Sequence, residues 1–161
     1  MLRALVNLAK AVIGTTTNDN ASAGFLGEII EATVASGSAT SLTTATSKTV
    51  TSISLTPGDW DVEGIADFIV GATTNIANLQ AGVSLTTNTL ATQAGGSGLD
   101  TDPNTLRFFF NFAPGAWTEA FATPVVRLSL AATTTVYLVV QGNFTVSTLT
   151  AYGTLRARRV R

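Results

Sequence analysis

In Val126-Arg-Leu-Ser-Leu130 the apolar residues fall at every second position, so Val126, Leu128 and Leu130 share one side of an extended chain while Arg127 and Ser129 share the other. That alternation predicts a strand with one buried face. Thr135-Val-Tyr-Leu-Val-Val-Gln-Gly-Asn-Phe144 is apolar on both faces as far as Gln141. It suits a central strand or one covered by another subunit, which makes Tyr137 a candidate interface residue. The same reading predicts strands over Phe25 to Val34, Thr49 to Leu55, Trp60 to Val70, Ile76 to Leu85, Leu106 to Phe112, Val125 to Leu130, Thr135 to Val146 and Thr150 to Val160. Turn-forming clusters separate them, among them Pro57-Gly-Asp59, Asp102-Pro-Asn104 and Pro114-Gly115. After the first dozen residues there is no room for a long helix.

Composition narrows the chemistry. The 161 residues include neither Cys nor His. Disulfides, thiolate nucleophiles, Cys or His zinc sites and imidazole bases are therefore excluded. Charged residues make up 12% of the chain and the net charge is -1, so no general basic field draws in nucleic acid. Hydrophobic residues reach 45%, beside 28 Thr and 23 Ala. Such a chain covers itself with hydroxyls and small side chains, or with copies of itself. Thr, with its branched Cβ, also favours strands.

Leu2, Leu5, Val6, Ala9, Val12 and Ile13 recur at helical spacing. They predict a short N-terminal helix or arm whose apolar face, Leu2, Leu5 and Val6 foremost, docks on a partner, with docking on its own domain or disorder as the alternatives. Residues 1–24 read as an attachment segment and linker, and residues 25–161 as one β domain. The apolar run is too short and interrupted to span a membrane, and it lacks a clear signal-cleavage box. The interval from Leu85 to Leu106 is a long loop and a candidate contact surface. In Phe108-Phe-Phe-Asn-Phe112, Phe108, Phe110 and Phe112 share a face, and several rings there call for core or subunit packing.

Possible chemical groups are few. Asp59, Asp61, Glu63 and Asp67 have one parity and form an acidic stripe along their strand. The stripe lacks the spacing of a calcium loop and reads better as a solvated or intersubunit face. Asp100 and Asp102 are a second acidic pair, but beside Pro103-Asn104 they fit a turn better than a glycosidase dyad. Gly95-Gly-Ser-Gly98 lacks the lysine of a phosphate-binding loop, and no Ser has a His to activate it. Trp60 and Trp117 are the candidates for a carbohydrate platform. No catalytic residue, cofactor or metal site is expected.

Charge is unevenly spread. Arg156, Arg158, Arg159 and Arg161 crowd the last six positions. In a regular strand Arg156 and Arg158 share a face, suited to meeting the acidic stripe across a subunit boundary, while Arg159 and Arg161 share the other. Four arginines without a wider basic surface make nucleic acid a poor partner.

Eight short antiparallel strands predict an eight-stranded jelly-roll sandwich, with an immunoglobulin-like sandwich as the runner-up. Four segments sharpen this: Leu55-Thr-Pro-Gly-Asp-Trp-Asp-Val62, Ala122-Thr-Pro-Val-Val-Arg-Leu-Ser-Leu130, Thr133-Thr-Thr-Val-Tyr-Leu-Val-Val140 and Ala151-Tyr-Gly-Thr-Leu-Arg-Ala-Arg-Arg-Val160. Together they resemble the jelly-roll domains of tailed-bacteriophage virion proteins, found in capsid decorations and in head or tail fibres, over roughly Phe25 to Arg161. The resemblance implies a non-enzymatic, homotrimeric structural protein of the virion. In it Trp60 and Val62 pack after the Pro57-Gly58 turn, and Tyr152, Leu155, Arg156, Arg158 and Arg159 support assembly. The short leader favours a capsid decoration or head-fibre component attached to the major capsid protein or another virion protein. The alternative is a tail-fibre module recognising a host-surface glycan.

Overall fold

The computed structural model describes residues 17–90, 105–109 and 114–161. The described residues form ten strands: β1 (Ile29–Val34), β2 (Thr40–Ser41), β3 (Lys48–Leu55), β4 (Gly58–Val70), β5 (Asn75–Ser84), β6 (Thr105–Phe109), β7 (Trp117–Ala122), β8 (Val126–Leu130), β9 (Thr134–Thr145) and β10 (Leu149–Arg159). One sheet runs β1-β10-β4-β7, with β2 also on β10 and β8 also on β4; the other runs β3-β9-β5-β6. Every ladder is antiparallel. The predicted N-terminal helix lies outside the described residues.

All eight predicted strands are present, within shifted bounds, and β2 and β7 are additional. The first begins at Ile29, not Phe25, because residues 22–28 are folded into turns: Phe25 N–H donates to Ser22 C=O and Glu28 N–H to Phe25 C=O, each at 3.0 Å. β1 and β2 lie end to end along β10, on either side of a short 3₁₀ turn over Ser36–Ser38. β7 and β8 lie end to end along β4 in the same way.

The break between β7 and β8 falls opposite Gly64. Thr123 bridges it, since its hydroxyl accepts from Gly64 N–H at 2.9 Å and its own N–H donates to Gly64 C=O at 2.8 Å. A side chain at Gly64 would also press on Leu138 of the facing sheet.

Side-chain alternation puts one row from each sheet into a shared core. Trp60, Val62, Ala66, Phe68 and Val70 point inward from β4, Leu155 and Ala157 from β10, and Leu79, Val136, Leu138 and Val140 from the opposite sheet. Phe68 stacks on Phe121 of β7 with ring centroids 5.3 Å apart. The two faces of a strand are therefore very different: Trp60 is fully buried, while Asp61 beside it is half-buried on the outside.

Gly153 of β10 lies against β4 in register with Ala66; its φ is +151° and a Cβ there would collide with the backbone of Ile65 and Ala66. Only glycine fits both constraints. Gly153→Ala should destabilise the domain by about 3 kcal/mol. Thermal unfolding followed by circular dichroism should show the loss as a midpoint about 10 °C lower.

Candidate assembly surface

The odd-numbered residues of β4 face away from the core, so Asp59, Asp61, Glu63 and Asp67 do line one outer face, with Ile65 between Glu63 and Asp67 and Ile69 after them. β10 and β8 flank this row and supply its counter-charges. Arg127 pairs with Asp61 at 2.5 Å and Arg156 with Glu63. Asp59 accepts from Ser129 Oγ at 2.6 Å and pairs with Arg161 at 2.8 Å. Asp67 pairs in register with Tyr152, whose hydroxyl hydrogen-bonds it. Partial burial nevertheless pushes the Asp67 carboxyl above its ordinary value, against the stabilising hydrogen bond.

Arg156 thus meets the acidic stripe within its own chain. Arg158 projects from the same face, opposite Ile29 on β1 and Asp61 on β4, and has no ion-pair partner among the described residues. The Glu63–Arg156 bridge divides two shallow depressions of about 430 Å³ each. One is walled by Ile29, Val125 and Arg158, and the other by Glu31, Ile65 and Ala122. Apolar side chains stand open around them: Ile65 is 50% exposed and Val125 60%.

Arg159 points the other way and closes one end of the sandwich. Its side chain is only 6% exposed, and its Nε donates to Glu28 Oε2 at 2.8 Å. Its Nη1 donates to Pro57 C=O at 2.9 Å and its Nη2 to Thr56 Oγ1 at 2.5 Å. The guanidinium carbon lies 4.2 Å from the Trp60 ring centroid, in cation–π range. Trp60 in turn donates from Nε1 to Thr56 C=O at 2.9 Å. Gly58 makes this approach possible, because a Cβ there would strike the Arg159 guanidinium. The Pro-Gly-x-Trp turn and the Arg-Arg ending are therefore one physical unit.

Burial opposes ionisation of Glu28, but the Arg159 and Gly24 hydrogen bonds and the Arg159 charge outweigh it and hold the carboxyl below its ordinary value of 4.5.

Tyr137 lies half-buried on the outer face of the four-stranded sheet, in register with Ser52 and Ser84. Tyr152 is half-buried on the opposite outer face of the sandwich. Leu2, Leu5, Val6, Phe110 and Phe112 lie outside the described residues, as do Asp100, Asp102 and Gly95 to Gly98. Of the two tryptophans, Trp60 is enclosed and Trp117 is half-buried at the start of β7.

Sequence reasoning missed an amide cluster around the outer face of the four-stranded sheet. Gln80 Nε2 reaches Asn78 Oδ1 at 3.4 Å and Gln141 Oε1 at 3.5 Å, and Ser47 Oγ also meets Gln141 at 3.4 Å. The signal was available as polar residues recurring at 78 and 80 and at 141 and 143 in otherwise apolar strands.

Among the described residues no group of three or more carboxylates is placed to hold a metal ion, and no helix is long and apolar enough to cross a membrane. The chain has no significant match to any family model, curated protein or solved structure.

Removing one partner of a buried ion pair strands the other. Arg159→Ala should cost about 3–5 kcal/mol of stability in denaturant unfolding, whereas Arg156→Ala, at a half-exposed pair, should cost at most about 1 kcal/mol. The Glu28 contribution has a defined pH dependence. Because its folded pKa lies below the unfolded one, its stabilisation is complete above the ordinary value of 4.5 and disappears as pH falls through the lowered folded value. Melting curves from neutral to acid pH should show Glu28→Gln less stable than the parent near neutrality, with the difference shrinking as the parent's carboxylate protonates.

Proposed function

We propose that this chain is a non-enzymatic structural protein of a bacteriophage virion, a jelly roll that assembles as a homotrimer and attaches to the capsid as a decoration or head-fibre component. The jelly-roll reading is supported by the strand order. With β1 and β2 counted as one interrupted strand, and β7 and β8 as another, each sheet has four strands. The pairs β1 with β10, β3 with β9, β4 with β8 and β7, and β5 with β6 are the rungs of one antiparallel ribbon wrapped across two sheets. This pairing is the observation that carries the reading. The four sequence segments resembling phage virion domains supply the setting.

Assembly is supported by the outer face of the six-stranded sheet, where exposed isoleucine and valine stand among charges already paired within the chain. The mechanism is multivalent adhesion. A trimer presents three copies of a weak contact, and once one is engaged the other two act at high effective concentration. Residues 1–14, with their apolar spacing, supply the attachment contact.

Sedimentation of the purified chain should give three times the protomer mass, and a stable monomer at micromolar concentration defeats the trimer. Labelled chain on intact particles should decorate capsomer junctions; label at the tail, with binding to isolated envelope glycans, identifies a tail-fibre module instead. Deleting residues 1–14 should weaken particle attachment while leaving the β-sheet circular dichroism unchanged.

A further inference from the structure

We infer that the outer face of the six-stranded sheet, centred on Ile65, seats a neighbouring copy of this chain, with Arg158 of one copy meeting Glu31 of the next. The inference rests on the self-assembly reading above and adds to it the face and the residues that make the contact.

Ile65 lies in the middle of the sheet, not at its rim. Its cross-strand neighbours are Thr154 on β10 and Ala122 on β7, both shorter, so the isoleucine stands above them and remains 50% exposed. Covering its exposed half removes apolar surface from water and so favours association. Ile29 and Val125, 37% and 60% exposed, extend the apolar area beyond the Glu63–Arg156 bridge.

Charge identifies the occupant. Asp59, Asp61 and Glu63 each have an arginine partner within the chain, so those groups enter an interface already neutralised. Two exposed groups of opposite sign, Arg158 on β10 and Glu31 on β1, make no salt bridge among the described residues; Glu31 lies in register with Arg156, whose guanidinium is bridged to Glu63 instead. A face that carries a cation and an anion outside its salt bridges can complement a second copy of itself. A nucleic acid or an anionic lipid surface would meet the carboxylates as well as the arginines, so a second copy is the better fit. The opposite outer face has less to gain, since Asn78, Gln80 and Val139 are already covered within one chain.

The test is the oligomeric mass of the full chain by sedimentation across a concentration series, with circular dichroism and melting recorded for each variant. Ile65→Arg should remain folded and sediment as a monomer where the parent is assembled. Arg158→Glu and Glu31→Arg should each weaken assembly by about tenfold or more in dissociation constant, and the double exchange should restore it. Ser54→Arg, on the exposed side of β3, should assemble like the parent. The assignment is overturned if Ile65→Arg assembles normally, if the double exchange fails to rescue, or if Ser54→Arg alone dissociates the assembly. If Ile65→Arg unfolds, the charge exchange decides. A parent chain that is monomeric throughout overturns the self-assembly reading itself, an outcome distinct from loss of this face.

Discussion

One buried guanidinium holds the closed end of the sandwich. Arg159 gathers the segment before β1, the β3–β4 turn, the Trp60 ring and the last strand around a single planar group with five donors. Ion pairs of this kind are poor sources of net stability, because desolvation consumes much of the attraction. Their value lies in choosing between arrangements. The chain reads Arg158-Arg159, and a one-residue slip of β10 would turn Arg158 inward and Arg159 outward along with every other side chain of the strand. Glu28, Pro57 C=O and Thr56 wait at fixed positions for one arginine. They fix the register on which the alternation of β10 depends.

That register also creates the two surfaces of β4. Inward, its even-numbered residues fill the core; outward, the odd-numbered ones make a row of carboxylates interrupted by Ile65. Cross-strand pairing places an arginine beside Asp61 and another beside Glu63, and Arg161 reaches Asp59, so three of the strand's four outer carboxylates are neutralised within one chain. Without that neutralisation, four carboxylates of one parity would repel along a single strand. The proposed assembly uses what this arrangement leaves over: exposed apolar side chains and charges outside the salt bridges.

The sandwich was legible where apolar alternation was regular, as in β3, β4, β8 and β10, and where an apolar run covered both faces, as in β9. β7 escaped notice because Glu119 occupies the inward side between Trp117 and Phe121, breaking the apolar row on the face that defines the strand. An inward-pointing charge on an edge strand is also a guard against pairing with another edge. β2 has only two residues, too few for a period to register. The parity of the acidic stripe and Arg156 as one of its counter-charges followed from sequence, but not that Arg156 meets it within the chain, nor that Arg127 does, since Asp61 and Arg127 are neighbours only through the topology. Arg159 was the hardest to place. A charge at a chain's basic end reads as surface, and nothing local reveals that its acceptors lie at residues 28, 56 and 57.

The wrapped ribbon has a temporal side. Glu28 and Arg159 are 131 residues apart in sequence, and among the described residues β1 finds its ladder partner only in β10. A ribosome delivering this chain releases β1 long before its mate exists, leaving an unpaired edge in the growing polypeptide. Loop closure over such spans is slow to be rewarded, so folding is expected to take milliseconds to seconds and to finish late. The β5–β6 hairpin, by contrast, can pair as soon as it emerges, so order would spread outward from the middle of the chain toward its two ends.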